Sequence, residues 1–195
     1  MMPDTAPLSG EHEGETFTGI EADKATLHAA SFFQCVFRNA SFQYARFNEC
    51  SFERCVFDCC NLSLAQLRST VIIGATFTNS KLTGINWGTH SGVFSASFNG
   101  CVLDNCAFSS MNLSKYRFVG CSLRDAAFMD TKLRHCLFDD CDLRNCTFHN
   151  TDLSHADFSS SYNYFMNADT NIFHKTIFSL PEAASLLSNF DITLK

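Results

Sequence analysis

A step of five residues governs this chain. In CLFDDCDLRNCTF, residues 136–148, Cys136, Cys141 and Cys146 fall five apart, and Phe138, Leu143 and Phe148 follow two places later. Five matches neither the 3.6-residue return of a helix nor the two-residue return of a strand. From Leu27 the step runs through Phe32, Phe37, Phe42, Phe47, Phe52, Phe57, Leu62, Leu67, Ile72, Phe77, Leu82 and Trp87 without a polar residue. The register slips by one residue within GTHSGVFSAS, resumes at Phe98, and alternates Phe and Leu as far as Phe158. It weakens around Asn163 and Ala168, then recovers at Phe173 and Phe178.

Two places before each central residue the side chain is usually small, as at Ala25, Cys35, Ala45, Cys55, Cys60, Ala96, Cys101, Cys121 and Ala156. The residue just before the centre is often Asn or Asp, and the one after it Ser, Thr or Arg. This pattern, A(D/N)LXX over roughly residues 25–178, resembles the pentapeptide-repeat family. A short unit repeated in this way buries its apolar face only against its neighbours, which makes a solenoid. The resemblance implies an all-β fold: a right-handed quadrilateral parallel β-helix of 7–8 coils, four pentapeptides to a coil, with the small and central residues inward. Residues 1–24 are then an acidic N-terminal segment or cap, with a one-residue irregularity at 88–97. Residues 179–195 form a C-terminal helix and tail.

Twenty residues per coil can be checked against the order of side chains. With one extra residue at the slip, one face collects Phe37, Phe57, Phe77, Phe98, Phe118, Phe138, Phe158 and Phe178. A second collects Phe42, Leu62, Leu82, Leu103, Leu123 and Leu143. Aromatic rings in register are expected to stack along the axis.

Ten of the eleven cysteines fall on the small inward position, and only Cys59 does not. Their spacing fits no common zinc pattern, and thiols packed among phenylalanines are expected to stay protonated and inert. His135 and His155 should stack on the outside of adjacent coils. The sequence holds no Walker loop, GxSxG, HExxH or GxGxxG motif, so neither an enzyme nor a cofactor or metal site is expected. There is no run of apolar residues long enough to span a membrane, and the N-terminus lacks the basic and apolar regions of a signal peptide. The expectation is a cytoplasmic protein with no membrane contact.

The net charge of −6 is distributed unevenly. Residues 25–178 balance twelve acids with twelve bases, whereas residues 1–24 hold six acids and Lys24. From 139 to 170, Asp139, Asp140, Asp142, Asp152, Asp157 and Asp169 face Arg144 alone, an acidic patch for a basic partner. With no basic, aromatic-lined stripe, direct nucleic-acid binding is not expected. The repeat breaks at FSLPEAASLLSNFDITLK. There, Ser179 and Glu182 read as a capping box, with Pro181 in the first helical turn.

Several segments carry a closer resemblance: IFHKTIFSLPEAASLL, CNLS at 60–63, GINW at 84–87 and FHNT at 148–151. They are similar to the gyrase-protecting branch of the pentapeptide-repeat family, which includes albicidin-resistance and, more distantly, Qnr-type quinolone-resistance proteins. That resemblance implies a rod-shaped homodimer joined at its C-terminal ends, with Pro181, Ala183, Leu186, Leu187 and Phe190 in the interface. It further implies a surface that imitates B-form DNA and binds DNA gyrase. Eight coils at about 4.8 Å give nearly 40 Å per protomer, and two end to end span about 23 base pairs.

Overall fold

The structure, a computed structural model, describes residues 8–89 and 94–187, and of Pro181 the backbone alone. Short parallel strands climb a solenoid of about eight turns, closed by one short C-terminal helix. Partners lie twenty residues apart: Phe17 pairs with Phe37, Phe37 with Phe57, and Phe57 with Phe77. Across the slip the step is twenty-one, from Phe77 to Phe98, and then returns to twenty at Phe118 and Phe138. The irregularity is taken up between Ile72 and Ala75, where Ile72 pairs with Phe94 and Ala75 with Ala96. The order of faces survives it. Residues 90–93 of the slip lie outside the described residues.

Phe17, Phe37, Phe57, Phe77, Phe98, Phe118, Phe138, Phe158 and Phe178 form one column. Their ring centroids are 4.6–5.8 Å apart and successive planes lie within 14°. Stacking is possible because strand spacing and ring offset are both near 5 Å. Rings of neighbouring faces meet edge-on, as Phe118 does Phe128 at 6.2 Å and 81°. Leu62, Leu82, Leu103, Leu123 and Leu143 fill another inner face, all buried.

The small inward residue does more than leave room. Its Oγ or Sγ donates to a carbonyl twenty-three residues back: Ser80 to Phe57 at 3.2 Å, Thr131 to Phe108 at 2.8 Å, Cys60 to Phe37 at 3.3 Å, Cys146 to Leu123 at 2.8 Å. The thiols therefore stand in for hydroxyls as ties between coils, which alanine cannot do.

At most corners, two places after the central residue, the backbone is left-handed. Non-glycine residues such as Lys24, Tyr44, Arg54, Asp125 and His135 take φ between 49° and 67°. That conformation costs roughly 1–2 kcal/mol for most side chains and less for Asn or Asp. It is offset at most corners by a hydrogen bond from the corner N–H to the next coil, such as Asp125 to Arg144 O at 2.9 Å.

Parallel pairing extends into the segment read as an N-terminal cap. Glu11–Glu13 pairs with Ser31–Phe33, Thr16–Thr18 with Val36–Arg38, and Leu8 is buried. Near the other end, where the repeat weakens, Asn163 turns outward with φ 61°. Tyr164 and Met166 fill the core instead. Tyr164 packs against Phe158 and Phe178 at 5.7 and 5.8 Å.

The terminal helix α1 (Leu180–Leu186) departs from one expectation. Ser179 is its N-cap, but no side-chain capping bond forms, so the capping box is absent. Glu182 instead accepts the N–H of Asn163 at 2.9 Å, tying the helix to the last coil. The Ser179 N–H donates to the Tyr164 hydroxyl at 3.2 Å.

Candidate partner-binding surface

Each face and corner of the rod forms a column, so surface chemistry is set by residues twenty apart rather than by neighbours in the chain. This changes the accounting of the acidic patch. Asp142 is buried and accepts from Arg124 Nε at 2.7 Å, Asn163 Nδ2 at 2.9 Å and the Arg144 N–H at 3.2 Å. Burial raises its pKa, but these three donors more than offset that and hold it below the ordinary carboxylate range. Asp152, half-buried, accepts from Arg134 Nη1 at 3.2 Å and from the Ser154 hydroxyl at 2.6 Å. Both arginines come from the preceding coil, eighteen residues back.

Of the other expected residues, Asp139 is half-buried and accepts from the Ser160 hydroxyl at 2.9 Å. Asp157 is half-buried and accepts the Ser159 N–H at 2.9 Å. Asp140 and Asp169 are exposed. The six therefore do not form one continuous free patch.

Corners add two carboxylates that counting from 139 to 170 passes over, Asp125 and Asp130, to Asp140, which it includes. Asp125, Asp130 and Asp140 all stand at left-handed corners, exposed, with φ 58°, 54° and 52°. Asp125 accepts from Asn145 at 3.1 Å in the coil above, and Asp130 from Asn150. Around the turn from 125 to 140, three of four corners thus carry a carboxylate, and the fourth carries His135.

The C-terminal end is apolar. Leu180 is 90% exposed, Ile172 59%, Ile177 and Phe165 50%, and Leu187 37%. Among the expected interface residues, Leu187 faces out, Ala183 is half-buried and Leu186 packs against the core. Pro181 sits in the first turn of α1, and Phe190 lies outside the described residues. Leu180, the most exposed, was not anticipated.

Ten cysteines are buried and Cys59 is exposed, none in a disulfide. Burial pushes Cys55 and Cys60 up to about 11 and Cys106 to about 12. Cys101 and Cys141 are raised by their thiol neighbour Cys121 and then by burial. The Cys59 thiol is also raised, by local desolvation and by Asp58, whose carboxylate is 3.6 Å away. A maleimide at mildly alkaline pH should therefore label one thiol in the native protein and all eleven after denaturation. More than one rapid label in the native state would contradict the inward placement.

Among the described residues, those lining an open groove of 450 Å³ beside Tyr44, Leu64, Gln66 and Gly84 include no carboxylate, imidazole or thiol. No group of three metal-ligating side chains among the described residues is placed to hold a metal ion. No helix among them is long and apolar enough to cross a membrane.

A parallel solenoid with a five-residue repeat and left-handed corners defines the class. The chain belongs to the pentapeptide-repeat family: the model for pentapeptide repeats (8 copies) matches within residues 23–84, and that for the pentapeptide repeat region matches 91–162. No curated protein matches the sequence. Among solved structures, the chain is similar to HetL, a pentapeptide repeat protein involved in heterocyst differentiation regulation, from the cyanobacterium Nostoc sp. strain PCC 7120. Identity is 18%, coverage 89% of each chain, and the TM-score 0.53. It is also similar to full-length QnrB1, a plasmid-mediated fluoroquinolone resistance protein, with 19% identity, 94% of this chain and 100% of that one covered, and a TM-score of 0.39. At these identities the likeness concerns the fold.

Proposed function

We propose that this protein is a non-enzymatic, DNA-mimicking ligand of DNA gyrase that relieves the action of a gyrase poison, albicidin being the first candidate. The observation that carries the reading is the turn with carboxylates at three of its corners, Asp125, Asp130 and Asp140, on a solenoid of stacked coils. Fixed negative charges on a rigid frame suit a basic groove made for phosphates. The tail segment SLPEAASLL and the GINW and FHNT segments support the same assignment by resemblance. The apolar patch around Leu180 and Ile177 supports a homodimer joined through the C-terminal ends, since patches of this kind mark interaction sites. Free thiols throughout fit a reducing cytoplasm, where gyrase works.

The test is supercoiling of relaxed plasmid by gyrase as the protein is titrated in, with and without albicidin or ciprofloxacin. Inhibition together with fewer drug-induced cleavage products is expected, and Asp125→Lys/Asp130→Lys/Asp140→Lys should lose at least about tenfold in potency. A verified dimer at micromolar concentration that changes neither activity would sink the reading. The second reading, a scaffold for a different protein, is favoured by the Arg124–Asp142 and Arg134–Asp152 pairs, which neutralise part of the belt.

A further inference from the structure

The fourth corner column of the C-terminal half has the opposite sign. Lys115, His135, His155 and Lys175 are all left-handed corners. The N–H groups of 115, 135 and 155 donate to the carbonyls of Arg134, Ser154 and His174 in the next coil, so the four stand one above another. The rings of His135 and His155 are parallel, with centroids 4.6 Å apart and 7° between planes. His174 meets His155 edge-on at 5.3 Å.

Lys132 and Arg134 flank this column on one face and Arg117 on the other, all exposed. Of the acids on those faces, Asp152 is already held by Arg134 and Ser154, Asp157 by the Ser159 N–H, and Asp139, on the face of Arg117, by the Ser160 hydroxyl. Five cations, of which Arg134 is paired with Asp152, and three histidines therefore share one edge of the C-terminal half, where the other left-handed corners carry Asp, Asn, Ser or Gly.

What such an edge fits follows from what it lacks. A folded protein partner needs an apolar, well-packed centre. Here the exposed large apolar side chains begin only in the last coil, at Ile172 and Ile177. A phosphate backbone needs only positive charge and donors along a line. Three coil steps of about 4.8 Å set the end lysines about 14 Å apart, a length over which duplex DNA carries about eight phosphates.

We propose that the Lys115–His135–His155–Lys175 column is a second contact surface, for the phosphate backbone of duplex DNA, and that it tightens as His155 takes up a proton. Overall composition argues against nucleic-acid binding because it averages this edge with three that, in the C-terminal half, carry Asp125, Asp130 and Asp140 and no cation at their corners. In the free protein, desolvation, then His135, His174, Lys175 and Arg134, lower the pKa of His155. Neutral His155 is thus favoured in the fold, and stability is lost as pH falls below about 6.5. Phosphates beside the ring reverse that preference, so binding takes up protons and strengthens in acid.

The experiment is fluorescence anisotropy of a labelled duplex of about 20 base pairs with the full chain in about 50 mM salt, at about pH 8 and pH 6. Binding should be weak at the higher pH and at least about fivefold tighter at the lower, and added salt should release the duplex. Lys115→Glu/Lys175→Glu should abolish binding at both. His135→Gln/His155→Gln should keep the alkaline binding and lose the acid gain, with circular dichroism confirming that both variants fold. No binding in acid overturns the proposal, as does binding that survives the lysine reversals or an acid gain that survives the histidine change. Displacement by polyglutamate as readily as by unlabelled DNA would assign the edge to an acidic polypeptide and overturn it equally. Gyrase is absent from this assay, so its outcome is independent of the gyrase reading.

Discussion

Replacing Phe118 by alanine is expected to destabilise the protein by about 3–5 kcal/mol. The ring is fully buried, stacked on Phe98 at 5.4 Å and on Phe138 at 5.0 Å. It is also met edge-on by Phe108 at 5.8 Å. Removing it leaves a cavity in the middle of the column and breaks two stacked pairs worth about 0.5–1.5 kcal/mol each beyond burial. Neighbouring coils cannot collapse into the space, because their backbones are fixed by hydrogen bonds to the coils above and below. Against a typical total of about 5–15 kcal/mol, this is a large share. The loss should appear in urea unfolding and, because coils touch only their neighbours, as faster amide exchange concentrated around residues 98–138. Phe178→Ala, at the half-buried end of the same column, should cost clearly less. Equal losses at the two sites would mean that the column does not distribute stability in this way.

The second large effect is expected at the C-terminal end. Leu180→Asp places a charge on the most exposed apolar side chain of the patch without touching the core, since Leu186 supplies the inward contact of α1. Light scattering should show the dimer of the parent become a monomer, while circular dichroism is unchanged. In the proposed dimer two joined rods would present their carboxylates to the proposed partner at once, so the monomer should bind gyrase at least about tenfold more weakly. A parent protein that is monomeric at micromolar concentration removes the dimer outright. A Leu180→Asp protein that stays dimeric moves the contact elsewhere on the rod.

Most of the core is legible in the sequence because burial there is strictly periodic. The Phe column, the leucine face, the inward cysteines and the stacked His135 and His155 all follow from counting in fives and twenties. The surface is less legible, for a geometric reason. Asp142 looks unpaired in a window of thirty residues, yet its arginine is eighteen back and directly beside it. Asp125 and Asp130 matter because their corners aim them outward, and nothing in their local sequence marks them except the residue type that left-handed backbone tolerates best. The capping box failed for a related reason: Glu182 has a stronger partner in the last coil than in its own helix.

The corners carry one more consequence. Each projects a side chain from a frame whose geometry is fixed by its backbone, so lysine, tyrosine, aspartate and histidine occupy equivalent corners without disturbing what lies inside. Recognition and folding are thus written in separate alphabets along the same chain. A lineage can rewrite a whole edge of the rod, one letter in every twenty, and so exchange one partner for another while the interior text stays unedited.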